Sequence, residues 1–235
     1  MQIIPKVYLA NGFAYGQFQN SYVVETEQGA VMIDSGQHGE DTFETVRKNC
    51  SVWGIDLAKI SYLLVTHAHF DHSSYAARMQ RTGVEIVASQ AAAEAMACGD
   101  DRCLGYVFSI AFETCEVDRI VSGGEEISVG NLSIRCIAAP GHSNGSLIYE
   151  IIQEGRRLWF VGDQIIPMVA DGQQCVELGW KGGPDYDELT YLESLRKLCH
   201  MECDDLFPGH GTPRIGGGRR LMEMAYTQAL TDHHQ

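Results

Sequence analysis

Short stretches of apolar residues, some alternating with polar ones, fill the first third of the chain and predict strands over residues 6–9, 21–26 and 30–34. The last two are joined at Glu27-Gln28-Gly29, a turn whose glycine accepts a positive φ, so this region reads as a meander. Over residues 41–50 the period lengthens, with Phe43, Val46 and Cys50 at the spacing of one helix face. Residues 60–65 are continuously apolar enough for a strand buried on both faces. A polar segment follows, and then a helix through Ala76, Ala77 and Met79, which makes a β-loop-α unit. Residues 84–89 predict another strand and residues 91–98 a helix of good formers.

Residues 99–118 show no clean period, yet they carry Leu104, Tyr106, Phe108, Ile110 and Phe112. Such a stretch reads either as a lid or as a helix packed on the core. The second half repeats the opening pattern. Strands are expected at 126–129 and 132–138, and a hairpin pair at 146–152 and 157–161 turns about Glu154-Gly155. A long loop and a helix over 187–199 follow. Two β-rich halves, each closed by helix, imply an α/β protein of two sheets packed face to face with helices outside. No linker divides the chain, so a single domain over 1–235 is expected.

Composition removes several classes of partner. Lys plus Arg number 17 against 31 Asp plus Glu, a formal net charge of −14 that disfavours nucleic acid and anionic membrane surfaces. The first ten residues lack a basic stretch ahead of an apolar one, Pro5 interrupts them, and no apolar run is long enough to span a bilayer. A cytoplasmic protein acting on a small molecule is the expectation, with a homodimer left open. The eight cysteines are then expected as free thiols.

Chemistry concentrates in a few loops. Five of the nine histidines fall in three short segments that each follow a predicted strand. The densest is T-H-A-H-F-D-H, residues 66–72, where His67 and His69 stand two apart and point the same way from extended backbone. Asp71 and His72 follow where the chain turns into helix. His142 lies in P-G-H-S-N-G-S, Asp163 in V-G-D and His210 in P-G-H-G, each after an apolar run. Five imidazoles and two carboxylates exceed what one tetrahedral zinc takes, so two ions sharing a carboxylate fit better than one.

These motifs and their order resemble the metallo-β-lactamase superfamily along essentially the whole chain, in the branch that includes glyoxalase II and related dinuclear hydrolases. The resemblance implies an αβ/βα four-layer sandwich with the site at one edge of the sheets. It implies His67, His69 and His142 on one metal, Asp71, His72 and His210 on a second, and Asp163 bridging them. Two zinc ions per chain, with iron or manganese as alternatives, would hold a hydroxide between them near neutral pH. Asp71 is then the candidate for carrying a proton to the leaving group. The expected reaction is hydrolysis of an ester, thioester, lactone or amide. Alternatives on the same scaffold are a mononuclear iron dioxygenase that oxidises sulfur substrates and a phosphodiesterase.

Departures from named subfamilies narrow this set. The superfamily's true β-lactamases do not use a bridging aspartate where Asp163 stands. Glyoxalase II carries a helical domain after its final histidine, whereas only 25 residues follow His210. Homoserine-lactone lactonases place a tyrosine soon after the bridging aspartate, whereas Ile165 and Ile166 follow Asp163. Candidate substrate contacts are Phe13, Tyr15 and Phe18 in the glycine-rich loop 11–18, Tyr106 and Phe108 in the irregular stretch, and Met168 and Trp180 in the long loop. The segment C-H-M-E-C, with Cys199, His200 and Cys203, lacks the second cysteine pair of a zinc ribbon and is expected to be structural.

Overall fold

A computed structural model describes residues 1–36 and 40–233, with all their side chains except those of Phe13, Glu40, Asp41 and Phe108. The first half runs β1 (Gln2–Ile4), β2 (Val7–Asn11), β3 (Ser21–Thr26), β4 (Gly29–Ile33), α1 (Glu40–Val52), β5 (Ile60–Leu64), α2 (Phe70–Ser73), α3 (Ala76–Gln80), β6 (Glu85–Ala88), α4 (Gln90–Cys98) and β7 (Arg119–Ile120). The second runs β8 (Glu126–Val129), β9 (Leu132–Ala138), β10 (Leu147–Gln153), β11 (Arg156–Gly162), β12 (Ile165–Ala170), β13 (Gln173–Leu178), α5 (Glu188–Leu198), β14 (Asp205–Pro208) and α6 (Gly218–His233).

Strands β1 to β7 form one sheet in sequence order, antiparallel as far as β4 and parallel beyond it. The second sheet has the order β14-β11-β10-β9-β8, in which only the β11–β14 pair is parallel. Both sheets bury both faces, and period-two side chains divide between layers. On β4, Val31 and Ile33 face the second sheet while Ala30 and Met32 face the helices outside; on β11, Leu158 and Phe160 point inward while Trp159 and Val161 meet α5 and α6. Three apolar layers result. One lies under α1, α3 and α4, one between the sheets, and one under α5 and α6. This is the four-layer sandwich.

Local sequence explains the elements. Phe43, Val46 and Cys50 are the buried stripe of α1, as their spacing predicts. Ser89 caps α4 by accepting from the Ala92 amide, and Asp187 does the same for α5 from Thr190. The turn at Glu154-Gly155 has φ of 51° and 77°, the two left-handed residues of a tight hairpin. The long loop expected after residue 162 instead contains a second hairpin, β12 and β13, whose turn at Asp171-Gly172 has φ of 51° and 73°. Its Asp-Gly pair between two extended runs is the local signal for that turn. Residues 99–118 form neither a simple lid nor one helix. Cys103, Leu104 and Cys115 are buried, whereas Tyr106 and Val107 are exposed. Among the described residues, no helix is long and apolar enough to cross a membrane.

Candidate metal centre

All seven ligand-type residues follow the carboxyl ends of strands. His67 and His69 come from the loop after β5, and Asp71 and His72 from the first turn of α2, into which that loop runs. His142, Asp163 and His210 follow β9, β11 and β14, which are mutually parallel across the second sheet. The docked sheets therefore bring these loops to one edge. Gly209, just before His210, makes room for the cluster. A Cβ there would sit 2.4 Å from Asp163 Oδ1 and 2.5 Å from His72 Cε1, closer than atoms pack.

Ligand atoms of His67, His69 and His142 lie within 4.8 Å of one another, as do those of Asp71, His72 and His210, and those of His67, His72 and Asp163. Asp163 stands between the first two groups. Its Oδ1 is 3.1 Å from His72 Nε2, and its Oδ2 is 3.2 Å from His210 Nε2 and 3.6 Å from His142 Nε2. Asp71 Oδ2 is 3.2 Å from His210 Nε2, and His69 Nδ1 is 3.1 Å from His142 Nε2.

The outer contacts of the rings fix which nitrogen faces inward. His142 Nδ1 donates to the Trp180 carbonyl and His210 Nδ1 to the Phe18 carbonyl, each at 3.1 Å. His72 Nδ1 donates to Asp34 Oδ2 at 2.8 Å. The Thr66 hydroxyl also donates to that oxygen at 2.8 Å, so it accepts from His67 Nδ1 at 2.9 Å. Four Nε2 atoms consequently point at the centre, oriented by carboxylate, hydroxyl and carbonyl groups as metal-ligating histidines usually are. His67 Nε2, His72 Nε2 and Asp163 Oδ1 are buried without a hydrogen-bond partner. Each such atom costs about 1–3 kcal/mol. Converging ring nitrogens and carboxylate oxygens fit divalent metal, which would satisfy these atoms together once His72 and His210 give up their protons.

Electrostatics divide the imidazoles. Burial, reinforced by neighbouring imidazoles, pushes His67 well below its ordinary value; burial holds His69 down to about 3 and also lowers His142. Burial opposes charge on His72 and His210 as well, but carboxylates outweigh it. Asp163, Asp71 and Asp34 lift His72 well above its ordinary value, and Asp163 and Asp71 lift His210 to about 10. Burial likewise acts against ionised Asp163 and is overcome by His210 and His72, which hold the carboxyl well below the usual range. In the metal-free protein, protons on His72 and His210 therefore balance the carboxylates that metal would otherwise neutralise.

A cavity of about 350 Å³ opens over the cluster, with His69, Asp71, His142, Asp163 and His210 at its base. Its walls are Phe18, Leu104, Val107, Ile166, Leu178 and Trp180, together with Glu177. Of the residues expected as substrate contacts, Phe18 and Trp180 line this cavity. Tyr15, Tyr106 and Met168 do not line the cavity. Tyr15 packs against the inter-sheet core with its hydroxyl on the N-terminal amine, Tyr106 is exposed, and Met168 is exposed on β12. The side chains of Phe13 and Phe108 lie outside the described part. Cys199 and Cys203 are buried under α5 and α6, and His200 is exposed nearby. Asp34, Thr66 and the walls from Leu104, Val107, Ile166, Glu177 and Leu178 escape the sequence reading. Asp34 had a signal, since it ends the apolar strand Gly29–Ile33 much as Asp163 follows Arg156–Gly162.

Residues 14–210 match the family model described as the metallo-beta-lactamase superfamily. The chain belongs to that superfamily. Subclass B3 metallo-beta-lactamase BJP-1 of Bradyrhizobium japonicum superposes with a TM-score of 0.78 at 22% identity, covering 100% of this chain and 91% of that one. MIM-2 metallo-beta-lactamase superposes at 0.77 with 24% identity, covering 99% and 89%. At such identities these structures establish a shared fold. Among curated proteins, an atrochrysone carboxyl ACP thioesterase of Aspergillus fumigatus is 26% identical over 211 residues, 88% of this chain and 56% of the relative. The lactamase-like protein adaB of Aspergillus niger is 25% identical over 197 residues, 83% and 50% respectively. The chain spans about half the length of these curated relatives.

Proposed function

We propose that the chain is a dinuclear zinc hydrolase of a thioester or ester bond in a small acyl compound, of the glyoxalase II-like kind. The observation that carries this reading is Asp163, whose two oxygens face His72 on one side and His142 and His210 on the other, between two triads of ligands. Metal held there supplies activated water near neutral pH and an electrophile for the acyl oxygen.

The chain's own residues do the rest. Asp34 and Thr66 keep His72 and His67 in the ligating tautomer. Asp71 lines the cavity floor with Oδ2 turned to His210, and its carboxylate is the group placed to take the proton of the attacking water and deliver it to the leaving sulfur or oxygen. Phe18, Leu104, Val107 and Trp180 supply apolar wall that suits an acyl group. Among the described residues lining the cavity none is Lys or Arg, which favours an acyl bond over a phosphodiester. The thioesterase named among the relatives points to the same bond class. Lactone and amide hydrolysis are extensions of this chemistry. The substrate is a small molecule met in the cytoplasm rather than nucleic acid or membrane, in keeping with the net charge of −14.

Elemental analysis of the purified, unsupplemented chain, followed by a panel of thioester, ester, lactone and phosphodiester substrates, tests this reading. About two zinc per chain and thioester or ester turnover abolished by chelation are expected. Asp163→Asn is expected to lose most turnover and at least one metal. About one iron per chain, with oxygen consumed on persulfide or thiol substrates, would replace this reading with the dioxygenase.

A further inference from the structure

One charged side chain in the cavity has no part in the hydrolytic scheme. Ile166 and Glu177 are register partners on β12 and β13, so they leave the hairpin on the same face, and both line the cavity. The neighbours of Glu177, Val176 and Leu178, are partly buried against the core under α5 and α6, and Leu178 also reaches the cavity wall. Glu177 has no hydrogen bond or ion pair with any described residue. A second hollow, of about 580 Å³, opens beside the cavity towards Gln228 and Asp232 of α6, and Glu177 and Trp180 line both spaces. They therefore stand on the ridge where the two meet. Lys181, the cation of that hollow, already sits 3.8 Å from Glu188 and 3.6 Å from Asp232.

Two aromatic rings complete the pattern. Trp180 is 51% exposed and Phe18 67% exposed, and both wall the cavity. Aromatic faces attract cations through the ring quadrupole, and an unpaired carboxylate beside them adds a full opposite charge. An anionic group at the same place would meet repulsion from Glu177, while Lys181, the cation of the adjoining hollow, is already engaged by Glu188 and Asp232. We propose that the substrate carries an ammonium group, held by Glu177 and the Trp180 ring at the junction of the two spaces, and that Glu177 is the specificity-determining residue. For the bond cleaved this rests on the hydrolase reading; for binding it stands alone.

Two pairs of equal shape test it on the zinc-loaded full chain. Acetylthiocholine and S-(3,3-dimethylbutyl) thioacetate are compared in kcat/KM. Choline and 3,3-dimethylbutanol are compared in Kd from tryptophan fluorescence, with Trp180→Phe identifying the cavity signal. The cationic member is expected to lead by about 10-fold in both comparisons. Glu177→Gln brings the ratio close to unity and Glu177→Lys inverts it. Equal Kd values in the wild type, or an undiminished ratio in a Glu177→Gln protein that keeps wild-type metal content and melting temperature, would overturn the proposal. If choline leads in binding while neither thioester is cleaved, the ammonium site stands and the hydrolase reading falls. If both thioesters are cleaved and bound alike, the reverse holds.

Discussion

Asp34→Asn separates the role of the buried carboxylate from that of the ligands themselves. Asp34 is 2% exposed and accepts from the Thr66 amide on Oδ1, and from the Thr66 hydroxyl and His72 Nδ1 on Oδ2, each at 2.8 Å. Its backbone φ is 53°, a left-handed conformation that Asn adopts more readily than Ala, so the amide tests the charge without adding backbone strain. With Oδ1 retained as the carbonyl, the new NH₂ faces two donors. Leaving both unsatisfied costs about 2–6 kcal/mol. His72 escapes part of that by moving its proton to Nε2, the nitrogen that faces Asp163 and the centre, and there it blocks metal. Zinc affinity should fall about 10–100-fold. Competition with a chromophoric chelator measures the affinity, and urea unfolding of the metal-free protein measures the stability. A variant that binds zinc within about twofold of wild type while unfolding at the same urea midpoint would refute the role given to Asp34.

Four further outcomes follow from the same geometry. Gly209→Ala must displace Asp163 or His72, because its Cβ would meet their atoms at 2.4 and 2.5 Å, so zinc affinity should drop at least about 10-fold with the circular dichroism spectrum unchanged. Metal-free protein should be most stable near neutrality. The His210 contribution is full below 6.5 and is lost as pH rises through about 10, while the His69 contribution is present above 6.5 and lost as pH falls through about 3. Thermal scans across pH check this, and calorimetry in buffers of different ionisation enthalpy should find about two protons released from His72 and His210 on zinc binding at pH 7. His200→Ala should leave metal content unchanged, since His200 is exposed beside buried Cys199 and Cys203.

The ligands were legible because their signals are local. An apolar run ended by Pro-Gly forces a turn at the strand tip, and the residue after it, His142 or His210, inherits a defined position. Two sheets follow from two β-rich halves that each close with helix, and α1 from the spacing of Phe43, Val46 and Cys50. What the sequence hides depends on distant chain. Asp34 is one acidic residue among 31, and its meaning arises only when β4 lies beside β5 and presents it to Thr66 and His72. The cavity walls draw Leu104 from an irregular loop, Ile166 from a hairpin and Phe18 from before β3, a juxtaposition no local period encodes. The hairpin itself was the misreading with a local remedy, in Asp171-Gly172.

His67, His69, Asp71 and His72 belong to the half of the chain that builds the first sheet, and His142, Asp163 and His210 to the half that builds the second. Neither half alone contains a complete constellation around Asp163. Metal capture therefore acts as an inspection of the finished fold, since only a chain whose sheets have docked in register offers all seven groups at once. Metal held by these groups would then clasp the two halves together, so that one loading event would both certify the assembly and stabilise it.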